Sequence, residues 1–139
     1  MIGLDTNALL RLLTEDDAAQ AALVRKRLAR LDSVAESVLL NNVVLVETLW
    51  TLRRLYGFER AQLQDLLGQL LSASTFCFED RATVSRAADL YCDASNRATD
   101  FSDCLIAALN ARLGCDATVT FDKGMSALPK VEVLRSKVV

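Results

Sequence analysis

The sequence predicts an α/β fold built on a mostly parallel sheet. Met1-Ile2-Gly3-Leu4 is a short apolar run, closed by the polar triplet Asp5-Thr6-Asn7 and followed at once by an amphipathic stretch. That is the pattern of a central strand feeding a helix. Short strand-like runs then alternate with helical segments, and such alternation puts the strands parallel. The length of 139 residues and a hydrophobic fraction of 52% suit one domain, spanning 1–139, with a well-filled core.

The elements follow in order. Ala8 to Leu13 reads as a short helix. Thr14 is a plausible N-cap for the next one, with Asp16 and Asp17 in its first turn. That second helix is expected to run to about Leu31, with Ala22, Leu23, Leu28 and Leu31 as its apolar positions and Arg25, Lys26, Arg27 and Arg30 on its other face. Those cations read as a solvated face or as a phosphate-tracking patch. Ser37 to Leu40 is the second strand. Asn41 or Asn42 caps a helix from Val43 to Tyr56, and Gly57 ends it. A further helix, Phe58 to Leu71, begins near Glu59 and pairs antiparallel with the one before. Thr75 to Phe78 is β-branched and aromatic, a third strand. Arg81 to Ala94 is helical. Thr99 or Asp100 caps a helix through Leu113, closed by Gly114. Ala117 to Phe121 is the fourth strand, Asp122-Lys123-Gly124 opens a short turn-helix that Pro129 breaks, and Val131 to Leu134 is the fifth.

Composition removes several chemistries. The chain has no histidine, which excludes Ser-His-Asp and Cys-His catalysis, two-histidine nucleases and His-ligated zinc or iron. Cys77, Cys92, Cys104 and Cys115 are too widely spaced for a zinc ribbon and read as reduced, buried thiols. No run approaches the roughly 20 apolar residues of a bilayer span. Met1 leads into the strand without a basic n-region, so a cytoplasmic protein is expected. The formal net charge of −2 is not the footprint of a dedicated nucleic-acid binder.

Any hydrolytic chemistry must therefore come from carboxylates, hydroxyls, Lys, Tyr or a hard metal held by oxygen, and the carboxylates stand out by position. Asp5 ends the first strand and Asp122 follows the fourth. Asp103 lies in the first turn of the helix before the fourth strand, with Asp100 three residues earlier. Glu47 has Val43, Val44 and Trp50 as helical neighbours, so it is expected on or beside the apolar face, where an unpaired carboxylate is costly. Each has a plainer reading. Asp5 and Asp100 are good caps, Asp103 complements a helix dipole, Asp122 opens a turn, and Glu47 could pair with Arg53 or Arg54. If Asp5, Glu47, Asp103 and Asp122 converge, their mutual repulsion raises some of their pKa values, and a hard divalent cation relieves it. Oxygen-only ligands favour Mg²⁺ or Mn²⁺ over zinc.

The opening Met1-to-Asn7 stretch, Glu47 on its helix, Asp100-Phe101-Ser102-Asp103-Cys104-Leu105-Ile106-Ala107-Ala108 and Val119-Thr120-Phe121-Asp122-Lys123 together resemble a PIN-domain ribonuclease. In length and layout the chain is similar to the VapC class of toxins of type II toxin–antitoxin pairs. The resemblance covers essentially the whole chain. It implies a PIN-like domain with a five-stranded sheet in the order 3-2-1-4-5, flanked by helices, and an acidic quartet of Asp5, Glu47, Asp103 and Asp122. Of these, Asp5, Asp103 and Asp122 would hold Mg²⁺ or Mn²⁺, and Glu47 would bind metal or orient the attacking water. Thr6 or Asn7 and Thr120 would be supporting polar groups, and Asp100 an acid standing behind the ligands. Arg11, Lys26 or Lys123 would guide the RNA substrate. The resemblance further implies a homodimer and a cognate antitoxin that binds operator DNA on the pair's behalf.

Two other readings compete. A receiver-type Mg²⁺-binding signalling domain needs acids after strand one, a phospho-accepting Asp after strand three and a late Lys. The chain offers Asp5, Glu79-Asp80 and Arg135-Ser136-Lys137, and leaves Glu47 unexplained. A non-catalytic PIN-like module that only binds partners would keep the cleft without the chemistry. Leu49, Trp50, Leu52 and Tyr56 could serve such a surface or the core.

Overall fold

The computed structural model describes residues 1–31 and 33–135. Ser136 and Lys137 of the receiver reading lie outside them. The chain forms two compact units, Met1–Arg81 and Ala82–Val139. No helix among the described residues is long and apolar enough to cross a membrane.

The first unit carries β1 (Ile2–Gly3), α1 (Thr6–Leu13), α2 (Ala18–Ala29), β2 (Val38–Leu40), α3 (Asn42–Arg54), α4 (Arg60–Ser72) and β3 (Phe76–Phe78). Its three strands are parallel in the order β1-β2-β3, with Ile2 opposite Val38 and Leu39 opposite Cys77. Each parallel step needs a crossover, and α1–α2 and α3–α4 supply them. Leu9 and Leu10 of α1 are buried, as are Val44, Leu45, Thr48, Leu49 and Leu52 of α3 and Leu63, Leu67 and Leu70 of α4. The spacing on α3 and α4 is that of one helical face. Helix α1 packs on both α2 and α3, and α3 on α4. Asn41 caps α3 through the Val44 N–H at 2.9 Å, and Glu59 with Gln62 forms a capping box on α4. Gly57, at φ +68°, turns the chain between them. After β3, the Arg81 guanidinium donates to the Leu71 and Phe76 carbonyls and lies over the Phe78 ring.

The second unit carries α5 (Arg81–Cys92), α6 (Phe101–Arg112), β4 (Thr118–Thr120) and β5 (Val131–Val133), with 3-10 turns at Ala94–Asn96 and Lys123–Met125. Strands β4 and β5 are parallel, Thr118 opposite Val131. The Tyr91 and Phe101 rings meet edge to face, with centroids 6.1 Å apart. Buried Leu105 and Ala108 sit on α6, which packs on β4, where Asn110 Nδ2 donates to Thr118 Oγ1 at 3.1 Å. Gly114, at φ +92°, ends α6 with the Cys115 N–H on the Asn110 carbonyl and its own N–H on that of Ala111. That pairing is a Schellman motif.

The α/β class and the parallel strands agree with expectation. Of the order 3-2-1-4-5, the runs β3-β2-β1 and β4-β5 are seen, one in each unit. Helix α2 departs most. Thr14 does not cap it but closes α1, its hydroxyl lying 2.8 Å from the Leu10 carbonyl and 2.7 Å from Asp16 Oδ1. With Asp16 engaged there, Asp17 caps α2 through the Gln20 N–H at 3.0 Å. The helix stops at Ala29, and its inward face is Ala21, Val24 and Leu28, while Leu23 is 68% exposed. A helix this rich in Ala and Arg has little apolar asymmetry to fix its face, so tertiary packing decides it.

Candidate active site

In the first unit, the chain leaves β1 and reaches Asp5 two residues later, where Asp5 N-caps α1. Asp5 Oδ1 accepts the Ala8 N–H at 2.8 Å, which orients the carboxylate and satisfies one orphan donor of the helix. The next residue, Thr6, donates from Oγ1 to Glu47 Oε1 at 3.1 Å, across 41 positions. This bond brings an acid of α3 to the turn that follows β1.

Glu47 is exposed, contrary to the expectation of a place on the apolar face. Helix α3 is rotated so that Val44, Leu45, Thr48 and Leu49 point inward, while Val43 and Trp50 are 64% and 53% exposed. Of the apolar neighbours used to place Glu47, Val43 and Trp50 thus share its outer face, while Val44 belongs to the core. Nor is Arg53 its partner, since that guanidinium donates to the Phe58 carbonyl and stands 3.8 Å from Glu59. Leu49 and Leu52 are core, Trp50 is surface, and the Tyr56 hydroxyl donates to Asp16.

The second unit repeats the device. Asp122 again lies two residues beyond a strand, β4, and caps the 3-10 turn Lys123–Met125. Its Oδ1 accepts the Gly124 N–H at 2.8 Å, and its own N–H donates to Thr120 Oγ1 at 3.0 Å. Thr120 thus holds the backbone at Asp122. Asp100 caps α6, and Asp103 closes a capping box by accepting the Asp100 N–H on Oδ2 at 2.9 Å. Half-burial lifts the Asp103 carboxyl above the usual range. The hydrogen bond from Asp100 opposes this, and the negative charges of Asp100 and Asp122 reinforce it. Asp103 and Asp122 therefore feel one another, and Asp100 is both a cap and a member of the cluster.

Among the described residues, no group of three or more Asp, Glu or Cys side chains is placed to hold a metal ion. The donors nevertheless suit a hard cation in kind. They are oxygen only, and Mg²⁺ commonly takes one or two carboxylates and completes its shell with water and phosphate. The crowded charge at Asp103 is what such a cation neutralises.

Other expected residues fall differently. Arg11 is committed within its unit, donating to Gln20 Oε1 at 2.6 Å and pairing with Asp16 at 3.2 Å, so it does not present a guide for RNA. Lys26 and Lys123 are exposed, as is Asn7. No disulfide joins cysteines among the described residues, and of the four only Cys104 is buried. Cys77 is half-buried, and Cys92 and Cys115 are exposed. Glu79, offered to the receiver reading, accepts the Asn42 N–H at 2.7 Å and so caps α3.

Three residues carry more than sequence reasoning assigned them. Asp16 gathers Thr14, Tyr56 and Arg11, and these hold its carboxyl below the usual range. Thr6 links to Glu47, a pairing no spacing rule reveals. At Gly124, a Cβ would stand 2.8 Å from the Ala98 carbonyl oxygen. The Asp-Lys-Gly triplet was the available signal, and it pointed only to a turn.

The family model for the PIN domain matches residues 2–131, spanning both units. No curated protein matches the chain.

Proposed function

Because the chain belongs to the PIN domain family, whose members are in general metal-dependent nucleases, we propose that it is an endoribonuclease using Mg²⁺ or Mn²⁺. The observation that carries this reading is the repeated carboxylate two residues past a strand. Asp5 after β1 and Asp122 after β4 each have Oδ1 tied to a backbone N–H at 2.8 Å. Each also has a second acid attached to it, Glu47 through Thr6 and Asp103 through its field. Fixed carboxylates at strand ends are where α/β folds place ligand chemistry.

In this proposal Asp5, Asp103 and Asp122 hold the cation. Once bound, it neutralises charge at the phosphodiester and lowers the pKa of water. The protein supplies the rest. Thr6 holds Glu47 Oε1, so that Glu47 accepts the proton of the attacking water through its other oxygen. Thr120 and the Gly124 N–H keep Asp122 from turning away, and Asp100 holds the first turn that carries Asp103. Water oxygen bonds to phosphorus, the phosphorus–oxygen bond to the leaving ribose breaks, and the leaving oxygen takes up a proton.

The biological setting proposed is a toxin of the VapC class, homodimeric, cytoplasmic and neutralised by a cognate antitoxin that supplies the operator-DNA contact. The whole-chain resemblance at Asp5, Glu47, Asp103 and Asp122 supports this. The test is cleavage of total cellular RNA with Mg²⁺, with Asp5→Asn and Asp122→Asn as comparisons. Each should lose about 10²–10⁴-fold in rate while remaining folded, and a fully active variant overturns the assignment. For the toxin role, induced wild-type protein should arrest growth, Asp5→Asn should not, and co-expression of the neighbouring upstream reading frame should restore it.

A further inference from the structure

The basic face of α2 is unused by the chemistry above, and it borders a groove. Leu4, Ala8, Leu23, Val24, Arg27 and Leu28 line a cavity of about 430 Å³ in the first unit, a volume in the range of ligand pockets. Its floor is aliphatic. Its rim carries Arg27, and Lys26 on the same helix and the C-cap residue Arg30 are exposed. Within α2 itself there is no acidic residue, and its N-cap Asp17 lies at the far end. Among the described residues, Arg25 approaches Glu15, at 3.9 Å. A cationic last turn complements a helix dipole, but that role requires neither a groove nor an exposed Leu23 beside it.

The groove is also continuous with the turn that holds Asp5. Leu4 precedes Asp5, and Ala8 is the residue whose N–H the Asp5 carboxylate accepts. We propose that this groove and the basic edge of α2 form a subsite for single-stranded RNA, with a nucleobase on the aliphatic floor and flanking phosphates on Lys26, Arg27 and Arg30. The inference rests on the ribonuclease reading and assigns the strand's path beside Asp5. An aliphatic floor offers a base apolar contact and no hydrogen-bonding partner for its edge, so it discriminates little between bases, while point charges track the backbone. Arg27 is here a positioning residue. It holds RNA and touches no reacting atom. Charge complementarity selects the occupant, since an amphipathic peptide would need acidic flanks to suit the same rim.

The test is binding of a short unstructured RNA to full-length Asp5→Asn protein in EDTA, followed by fluorescence anisotropy. A Lys26→Glu/Arg27→Glu variant in that background should bind about tenfold more weakly, with the slope of log affinity against log salt reduced by about 0.7 per lost phosphate contact. Arg27→Lys should keep most of the affinity. An abasic ribose-phosphate oligomer of equal length should bind more weakly than the RNA. In the active protein the charge reversals should raise KM and leave kcat. Unchanged affinity and salt slope overturn the proposal, as does a double variant that loses only its antitoxin, and equal binding of the abasic oligomer removes the base from the groove. Charge-dependent binding by a wild type that cleaves nothing sinks the nuclease reading and leaves the subsite. Normal cleavage with an indifferent double variant does the reverse.

Discussion

Thr6 Oγ1 donates to Glu47 Oε1 at 3.1 Å, joining the first residue of α1 to the middle of α3. Both residues sit at the surface side of the unit, so the bond contributes little to stability, at most about 0.5–1.5 kcal/mol. Its consequence is orientation. Thr6→Val keeps the shape and removes the donor. Cleavage should fall about tenfold, as expected when a catalytic group is loosened, with an urea midpoint close to wild type. Equal loss of stability and activity would show the bond to be structural instead.

The lifted pKa of Asp103 gives a signed pH prediction. Its folded pKa lies above the unfolded value, so the folded state binds the proton more tightly. Stability is therefore lost as pH rises from near the unfolded value through the raised folded one, and the full penalty stands above that. Asp103→Asn removes the titration while its amide oxygen can still accept the Asp100 N–H. The variant should unfold at higher urea than wild type at neutral pH, and the gap should close on acidification toward pH 4.

Metal should act on the same residue. Mg²⁺ at many times its dissociation constant should raise the thermal midpoint of the wild type by mass action, about 2.7 kcal/mol at a hundredfold excess. Asp103→Asn and Asp122→Asn should lose most of that increment. A midpoint indifferent to Mg²⁺ and Mn²⁺ in the wild type would remove the cation from the site. Chelation should silence cleavage and leave the circular dichroism spectrum unchanged.

Gly124→Ala tests the close approach behind Asp122. The added Cβ meets the Ala98 backbone oxygen at 2.8 Å and the Asp122 Oδ1 at 3.0 Å. Backbone must move to relieve it, at a cost of about 1–3 kcal/mol. Cleavage should fall with it, because the Gly124 N–H is a partner of Asp122.

The rotation of α3 is checked by a pair of truncations. Leu45 is fully buried, and Leu45→Ala should cost about 2–5 kcal/mol. Trp50, half exposed, should cost within about 0.5 kcal/mol on truncation in the monomer. The reverse ranking in urea melts would put Trp50, and with it Glu47, back on the inner face.

Much of this was legible in the residues. Strand one, its polar end and the capping chemistry of Asp5, Asn41, Asp100 and Gly114 depend on neighbours within a few positions, and local sequence determines them. The absence of histidine likewise excluded the histidine-dependent chemistries before any fold was known. Helix faces were less legible. On α3, Val43, Val44, Leu45 and Val46 offer apolar side chains all round, so periodicity does not say which of them turn inward, and Glu47, expected on or beside the apolar face, is exposed. On α2 the same ambiguity misplaced Leu23. Only the tertiary structure decided that Thr6 reaches Glu47, that Asp122 presses on Asp103, and that Gly124 lies against Ala98. Those relationships join residues far apart in sequence or depend on backbone approach, and the physical reason they were hidden is that no local energy specifies them.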